Sequence, residues 1–278
     1  MSPDLSFILL LALRMAVAAA FVVTASIITE RSGPVIGALI ATLPISAGPS
    51  YVFLALDHDA AFIAEGALSS LAINAATMFL SLTYVILAQR RSAFVSIAGA
   101  MAVWIVLAVL ERRVHWSLAG GLIANAIAFA ICLPLLKRFQ HARMPLITRR
   151  WYDVPLRAGL VATLVATVVS LSSWVGPEVS GTIALVPIVL TSMMIILHPR
   201  IGGPATAALI ANGGWGLMGF GLSFAALHIA AVPWGSAIAL CLVLAICLGW
   251  NLGLWWLGRR RVVKPSLRAN GSRETRAR

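Results

Sequence analysis

The chain contains nine apolar segments, each long enough to form a membrane-spanning helix. A span needs about 20 apolar residues at a rise of about 1.5 Å per residue. Sixty per cent of the 278 residues are apolar and only 11% are charged. A soluble core of this size cannot use so much apolar surface, whereas a bundle of spans requires it. The sequence therefore predicts an all-α polytopic membrane protein whose first segment is an uncleaved span. The segments run roughly from 5 to 29, 33 to 56, 60 to 88, 93 to 110, 115 to 136, 156 to 175, 179 to 198, 203 to 231 and 234 to 257.

The second segment has a copy 143 positions later. Pro34 and Pro44 correspond to Pro177 and Pro187 at this offset, with no gap. In each copy a basic residue stands thirty positions before the second of these prolines. The third spans also match, LAINAATMF against LIANGGWGLMGF, after a loop shortened by five residues. The sequence therefore predicts a tandem duplication of a four-span unit, with an interrupted second helix in each copy.

The distribution of positive charge predicts how the two copies are oriented. Eighteen of the 21 lysines and arginines follow odd-numbered segments, and lysine and arginine accumulate on the cytoplasmic side of a membrane. The N-terminus is therefore predicted outside and the C-terminus in the cytoplasm. The fifth segment is an unpaired connector, and its single crossing turns the second copy upside down. An inverted repeat of 4 + 1 + 4 spans follows.

This arrangement predicts five parts of the chain. The first repeat occupies 1–113 and the connector helix 114–136. A basic cytoplasmic loop follows at 137–155, the second repeat at 156–257, and a disordered basic cytoplasmic tail at 258–278. The loop and the tail would lie on anionic lipid headgroups.

The interrupted second helices indicate where a solute could bind. A proline frees backbone groups, which survive in a membrane only where protein or water covers them, and half-helix ends carry partial charges. Transporters with inverted repeats place their substrate at the midplane between the repeats. We therefore predict a site where spans 2 and 7 cross. The alternative is that the prolines only kink two packed helices. The predicted lining residues are Thr42, Pro44, Ser46, Ser50, Pro187, Thr191 and Ser192.

Three charged residues fall in or near the spans. Arg14 lies inside span 1, where a charge costs ~2.5 to 3.5 kcal/mol on insertion scales. Arg14 and its counterpart Arg157 are either interfacial anchors or, if both line a vestibule, groups that attract an anionic substrate. Glu65, in the first turns of span 3, either pairs with Arg14 or carries a proton. Its alternative role is that of an interfacial carboxylate hydrated together with Asp57 and Asp59.

Two intramembrane amides recur in the third spans. Asn74 and Asn212 occupy matching positions in the two copies. Intramembrane amides most often hold helices together, and the recurrence alone adds this pair to the candidate site.

Several other classes of protein are disfavoured. No two histidines have metal-ligand spacing, and the three cysteines lie inside apolar runs. No paired carboxylates and no Ser/His/Asp set indicate an enzyme. The sequence thus predicts neither an enzyme, a metal site nor a cofactor. Positive charge beside the last span is a topology signal and makes nucleic-acid binding improbable.

The repeat unit resembles the small bacterial inner-membrane proteins of the GlpM type. The shared pattern is a basic residue in the first span, a proline thirty positions on in an interrupted second span preceded by small residues, and a long third span. This chain differs in having two fused copies, arginine at the basic position and no clear aromatic residue before the proline. The resemblance implies a bacterial inner-membrane location and four-span units, and it implies no substrate. The matching residues are Arg14, Gly37, Ala38 and Pro44 in the first copy and Arg157, Gly181 and Pro187 in the second.

The function predicted from these features is secondary transport of a small metabolite, anionic if the two arginines line a vestibule, by alternating access between the repeats. The alternative is a non-transporting scaffold or accessory subunit for envelope polysaccharide or lipid metabolism. The predicted partners are the bilayer and a small solute, and a homo-oligomer is compatible with the sequence.

Overall fold

The described part of the chain is built from α-helices and contains no strands. The computed structural model describes the backbone at 3–31, 47–141 and 150–274, and side chains as far as 257. This confirms the predicted all-α polytopic membrane protein. The helices are α1 (Pro3–Arg31), α2 (Ala47–Asp57), α3 (Ala60–Leu87), α4 (Ala93–Glu111), α5 (Leu118–Lys137), α6 (Asp153–Ala184), α7 (Ile188–Ile201), α8 (Gly203–Trp234) and α9 (Ser236–Glu274).

Seven helices within the described ranges are long and apolar enough to cross a membrane, namely α1, α3, α4, α5, α6, α8 and α9. They coincide with predicted spans 1, 3, 4, 5, 6, 8 and 9. The other two predicted spans are the second span of each copy. The first of these begins with 33–46, which lies outside the described residues, and continues as α2. The other is divided between the end of α6 and α7.

Side-chain caps begin three of the helices after short polar turns. The Asp59 carboxylate accepts the Phe62 N–H at the start of α3. Ser92 caps α4 and Ser117 caps α5 in the same way. Each cap satisfies a backbone donor that the first helical turn leaves free. The caps separate consecutive apolar helices at these three points.

Helix α3 forms the core of the bundle and runs antiparallel to α8. Asn74, near the middle of α3, donates its amide to the carbonyl of Leu217 near the middle of α8 (3.1 Å). At one end of the pair His228 Nδ1 donates to the Ala64 carbonyl (2.8 Å). At the other end the start of α8 packs against the Ala88 carbonyl at the end of α3. The contacts at both ends and in the middle therefore fix the antiparallel direction along the full length.

The packing of the other helices repeats itself between the two halves. Helix α4 packs on α3 as α9 packs on α8, and α4 packs on α7 as α9 packs on α2. Helix α2 contacts α3 as α7 contacts α8. Helix α1 packs on α6, and the connector α5 contacts both α3 and α8. The pairings of α2, α4, α7 and α9 thus recur in both halves, whereas the α1–α6 contact joins two corresponding helices.

The backbone of α9 differs from the expectation for the tail. A disordered segment was predicted at 258–278 from its low apolar content, whereas α9 continues as a helix to Glu274. Arginine and lysine are good helix formers and favour this extension, whereas Pro265 and Gly271 within it disfavour a helix.

Candidate functional site

The backbone is interrupted at two places near the second span of the second copy, once just before that span and once within it. Helix α6 consists of two parts, α6a (153–175) and α6b (177–184), which meet at Gly176 with φ 76° and ψ 178°. This left-handed region favours glycine because a side chain would be strained there. A second interruption at 185–187 separates α6b from α7, with Pro187 at φ −76° and ψ 56°. The predicted interruption at Pro187 is therefore present, and the copy of it at Pro44 lies outside the described residues.

Side chains from two other helices satisfy the backbone at this interruption. In a continuous helix the Leu185 N–H would bond the Gly181 carbonyl, but here it donates to Thr182. The Ser70 hydroxyl of α3 donates to the Gly181 carbonyl instead (2.9 Å). Because that bond uses the only hydroxyl proton of Ser70, the Tyr51 hydroxyl of α2 donates to Ser70 Oγ (2.6 Å). This Tyr51–Ser70–Gly181 chain joins α2, α3 and α6b.

The same three elements approach each other closely at two glycines. A Cβ on Gly181 would lie 2.1 Å from the carbonyl oxygen of Gly66. A Cβ on Gly66 would lie 3.3 Å from the Pro177 carbonyl and 3.5 Å from the Tyr51 hydroxyl. Small residues allow backbones to approach in this way. The two glycines therefore bring α3 and α6b close enough for Ser70 to reach the interruption.

A cavity of about 260 Å³ lies beside α6b, at the start of α3 and the end of α4. Three carboxylates, one arginine, the Trp116 ring and two hydroxyl groups face it, so its charge is predominantly negative. This character gives no support to an anionic ligand at this position. The polar and aromatic lining residues are Glu65, Ser69, Glu111, Arg112, Trp116, Glu178 and Thr182.

The predicted crossing site is only partly described. Thr42, Pro44 and Ser46 lie outside the described residues. Ser50 is fully buried in α2, and Ser192 is fully buried in α7. Thr191 and Ser192 donate their hydroxyls to carbonyls of their own helix, at Pro187 and Val189 (both 2.8 Å). Neither of them lines the cavity beside α6b.

The two asparagines that the sequence matched between the third spans have different environments. Asn74 is fully buried and donates to the Asn125 side chain of α5 (2.9 Å) as well as to Leu217. Asn125 donates in turn to the Leu71 carbonyl (2.6 Å). Asn212 is exposed and donates to the Ala208 carbonyl (2.8 Å). Asn74 thus joins α3, α5 and α8 at the centre of the bundle, and Asn212 takes no part in this network.

Arg14 pairs with Asp57 at the end of α2. The guanidinium makes two hydrogen bonds to the carboxylate, one of them 2.6 Å long, and lies over the Phe53 ring (5.8 Å). The Arg14 side chain is only 11% exposed, whereas the Asp57 side chain is 31% exposed. From the sequence, Asp57 was interpreted as a hydrated interfacial carboxylate, and Glu65 was the carboxylate considered as a partner of Arg14. Glu65 instead lines the cavity.

A second bidentate pair joins Asp153, at the start of α6, to Arg200 near the end of α7 (2.8 Å for one bond). Arg200 also lies over the Tyr152 ring (5.0 Å). The hydrogen bond from Arg150 to the Tyr152 hydroxyl, followed by the one from Arg200, lowers the pKa of Tyr152. Arg157 lies one helical turn after Asp153 and acts on it electrostatically. Arg157 therefore adds positive charge to a cluster that already contains a carboxylate.

The two ion pairs join corresponding elements with opposite charges. Asp57 and Arg200 are separated by the repeat offset of 143 positions. Their partners Arg14 and Asp153 lie on corresponding helices, since Asp153 stands one turn before the counterpart of Arg14. Sequence reasoning missed both pairs because it compared identical residue types. A search for opposite charges at the repeat offset would have found Asp57 and Arg200.

The fold and these polar contacts define a polytopic α-helical membrane protein with a broken helix packed against its core. Within the described ranges, no group of three histidine, cysteine, aspartate or glutamate side chains is placed to hold a metal ion. Comparison with protein-family models, curated proteins and solved structures finds no match.

Proposed function

We propose that the protein is a secondary transporter of a small solute, which works by alternating access between two inverted repeats. The observation that carries the proposal is the interruption at 185–187, which the Tyr51–Ser70–Gly181 chain holds against the core helix α3. Interrupted helices at membrane depth are typical of transporters, whose half-helix ends and freed backbone groups face the solute or the coupling ion.

The antiparallel packing of α3 and α8 supports the inverted arrangement in this proposal. Asn74 and Leu217, which contact each other, are 143 positions apart, as are the starts of α3 and α8 and the starts of α4 and α9. At this offset the counterpart of Asn74 is Leu217 and not Asn212, which the sequence comparison with a shortened loop gave. Residues that lie on a two-fold axis contact their own counterparts. An axis in the membrane plane through this contact would relate α3 to α8 and α4 to α9. The resemblance to the GlpM type remains part of the proposal and rests on the residues that carry it.

The solute class is proposed more broadly than the sequence suggested. Arg14 is neutralised by Asp57, and Arg157 acts on Asp153. The cavity beside α6b is lined by three glutamates and one arginine. These contacts remove the reason to prefer an anion, so the proposed substrate is a small polar solute of either charge.

A non-transporting scaffold or accessory subunit of the inner membrane is the second candidate. Tight packing favours it, because Ser50 and Ser192 are fully buried and the Ser192 hydroxyl is bonded within its own helix. A scaffold requires no cavity that reaches the midplane.

Flux measurements in proteoliposomes separate the two candidates. The purified protein would be tested with labelled organic anions, organic cations, amino acids and sugars, with and without a proton gradient. We expect saturable flux of at least one class above that of empty liposomes. Arg14→Ala and Glu65→Gln are the informative variants, because they remove the buried cation of α1 and a carboxylate of the cavity. Absence of flux for every class would favour the scaffold.

A further inference from the structure

The two Arg–Asp pairs lie at opposite ends of the core helix α3. Asp57 stands three residues before the start of α3. Arg200 stands three residues before Gly203, which packs against Ala88 at the end of α3. Because α3 has 28 residues, a rise of about 1.5 Å per residue separates the pairs by about 40 Å. One pair therefore belongs to each face of the membrane.

Each pair fastens the helix that ends the second span of a copy to the first helix of the same copy. The Arg14–Asp57 pair joins α1 to the end of α2, and the Asp153–Arg200 pair joins α6a to α7. Both pairs are formed in this structure. The ends of both second spans are therefore held against the bundle at the same time.

Such pairs favour two states over intermediate ones. When a buried pair is broken in a dry site, an unpaired charge remains, and this is strongly unfavourable. When water enters the same site, both charges are hydrated and the pair contributes little. Asp153 and Arg200 are both largely buried (12% exposed each), and in the other pair Arg14 is the buried charge (11%) beside a partly hydrated Asp57 (31%). At each end a buried charge is therefore stable either when it is paired or when water enters and hydrates it.

Helix α6a connects the two ends. It carries Asp153 at its start and Ser172 near its end, about 28 Å away at a rise of about 1.5 Å per residue. Ser172 is hydrogen-bonded to His58, directly after Asp57 (2.8 Å). At the other end His198 of α7 is bonded to Tyr84 of α3 (2.9 Å). Helix α6a therefore carries a side-chain contact to the first copy at one face and the Asp153–Arg200 pair at the other.

We propose that Arg14–Asp57 and Asp153–Arg200 are alternating latches. The outer face opens when the first pair breaks, and the cytoplasmic face opens when the second pair breaks. Breaking of either pair favours formation of the other. The assignment of the first pair to the outer face follows the predicted topology. The inference rests on the proposed transport function, and it deepens that function by naming the groups that close each face.

Thiol accessibility tests the latches without any substrate. Ser50→Cys on α2 and Ser192→Cys on α7 are matched reporters, because both serines are fully buried. They would be placed singly in a background whose three native cysteines are replaced by alanine. A membrane-impermeant thiol reagent is applied to right-side-out and inside-out vesicles.

Neutralising one aspartate opens one latch while preserving the side-chain shape. We expect Asp57→Asn to increase labelling of the α2 reporter from outside by about tenfold or more and to slow labelling of the α7 reporter from the cytoplasmic side. Asp153→Asn should have the reverse effect. The charge exchange Arg14→Asp with Asp57→Arg should restore the parental rates, which also shows that the variants fold. Arg113→Gln is the matched control, because Arg113 is an exposed arginine just after the end of α4. It should leave the labelling rates of both reporters unchanged.

The outcomes separate this inference from the transport proposal. An increase at both reporters in each variant, or no change at either, would show that the pairs are static supports and would overturn the inference. If solute flux is found while labelling does not change, transport stands and the latches fail. If labelling is reciprocal and no solute crosses, the latches stand and the transport proposal fails.

Discussion

At the scale of single residues, the polar groups that matter most are those that the helix interruption leaves without helical partners. The Gly181 carbonyl is one of them, and Ser70 replaces its missing backbone donor. A buried acceptor without a donor costs about 1–3 kcal/mol. Ser70 therefore stabilises the interruption directly, and Tyr51 orients Ser70 by donating to its oxygen.

Ser70→Ala should consequently lower the stability of the folded protein by about 1–3 kcal/mol, because it leaves both the Gly181 carbonyl and the Tyr51 hydroxyl without their partner. The measurement is the midpoint of thermal unfolding in detergent, followed by tryptophan fluorescence. Ser69→Ala is the matched control, since Ser69 is the preceding residue of α3 and lines the cavity. An equal decrease in the control would contradict the role given to Ser70.

For the charged residues, the sequence predicted which of them are unusual but not which groups they pair with. Hydropathy identified Arg14 as an unusual charge in a span, since charge stands out against an apolar background. Its partner lies 43 positions away, and which carboxylate it reaches depends on how α1 and α2 rotate against each other. The sequence offered Glu65 as a possible partner and placed Asp57 among the hydrated interfacial carboxylates. Only three-dimensional packing distinguishes them.

At the scale of helices, the sequence predicted the spans and the interruption at Pro187. Lipid-exposed backbone must bond internally, so long apolar runs have few alternatives to a helix. The sequence did not predict that α3 would be the core element or that α6b would pack on it. These features depend on glycines meeting face to face, and the positions of Gly66 and Gly181 look like many other small residues in the chain.

Gly181→Ala should test the close approach of α6b and α3. The new Cβ would lie 2.1 Å from the Gly66 carbonyl, so α6b must move and the Ser70 bond must lengthen. We expect a loss of stability of about 2 kcal/mol or more, within the range for overpacked cores. Gly159→Ala on the same helix meets nothing within 4 Å and should be neutral or stabilising by up to about 1 kcal/mol. Similar unfolding midpoints for the two variants would argue against the close approach.

At the scale of the whole molecule, the proposed inverted repeat would explain why pairings recur between the halves. The antiparallel α3 and α8 contact each other at residues 143 positions apart. Duplicated units of opposite orientation give this relation directly. A parallel duplication would relate α3 and α8 by an axis along the membrane normal and would leave them parallel.

Corresponding turns of the two copies should therefore face opposite sides of the membrane. Arg90 lies in the turn between α3 and α4, and Trp234 lies at the corresponding turn between α8 and α9. In a cysteine-free background, we expect Arg90→Cys to label from the cytoplasmic side and Trp234→Cys from outside, because positive charge collects in the cytoplasm. Both positions are exposed, so burial does not limit the reaction.

His115→Cys and His141→Cys, before and after the connector α5, are the control pair and should also label from opposite sides, since one crossing separates them. Labelling of Arg90→Cys and Trp234→Cys from the same side, with the connector pair behaving as expected, would show that the two copies share one orientation and would remove the basis for alternating access between inverted halves.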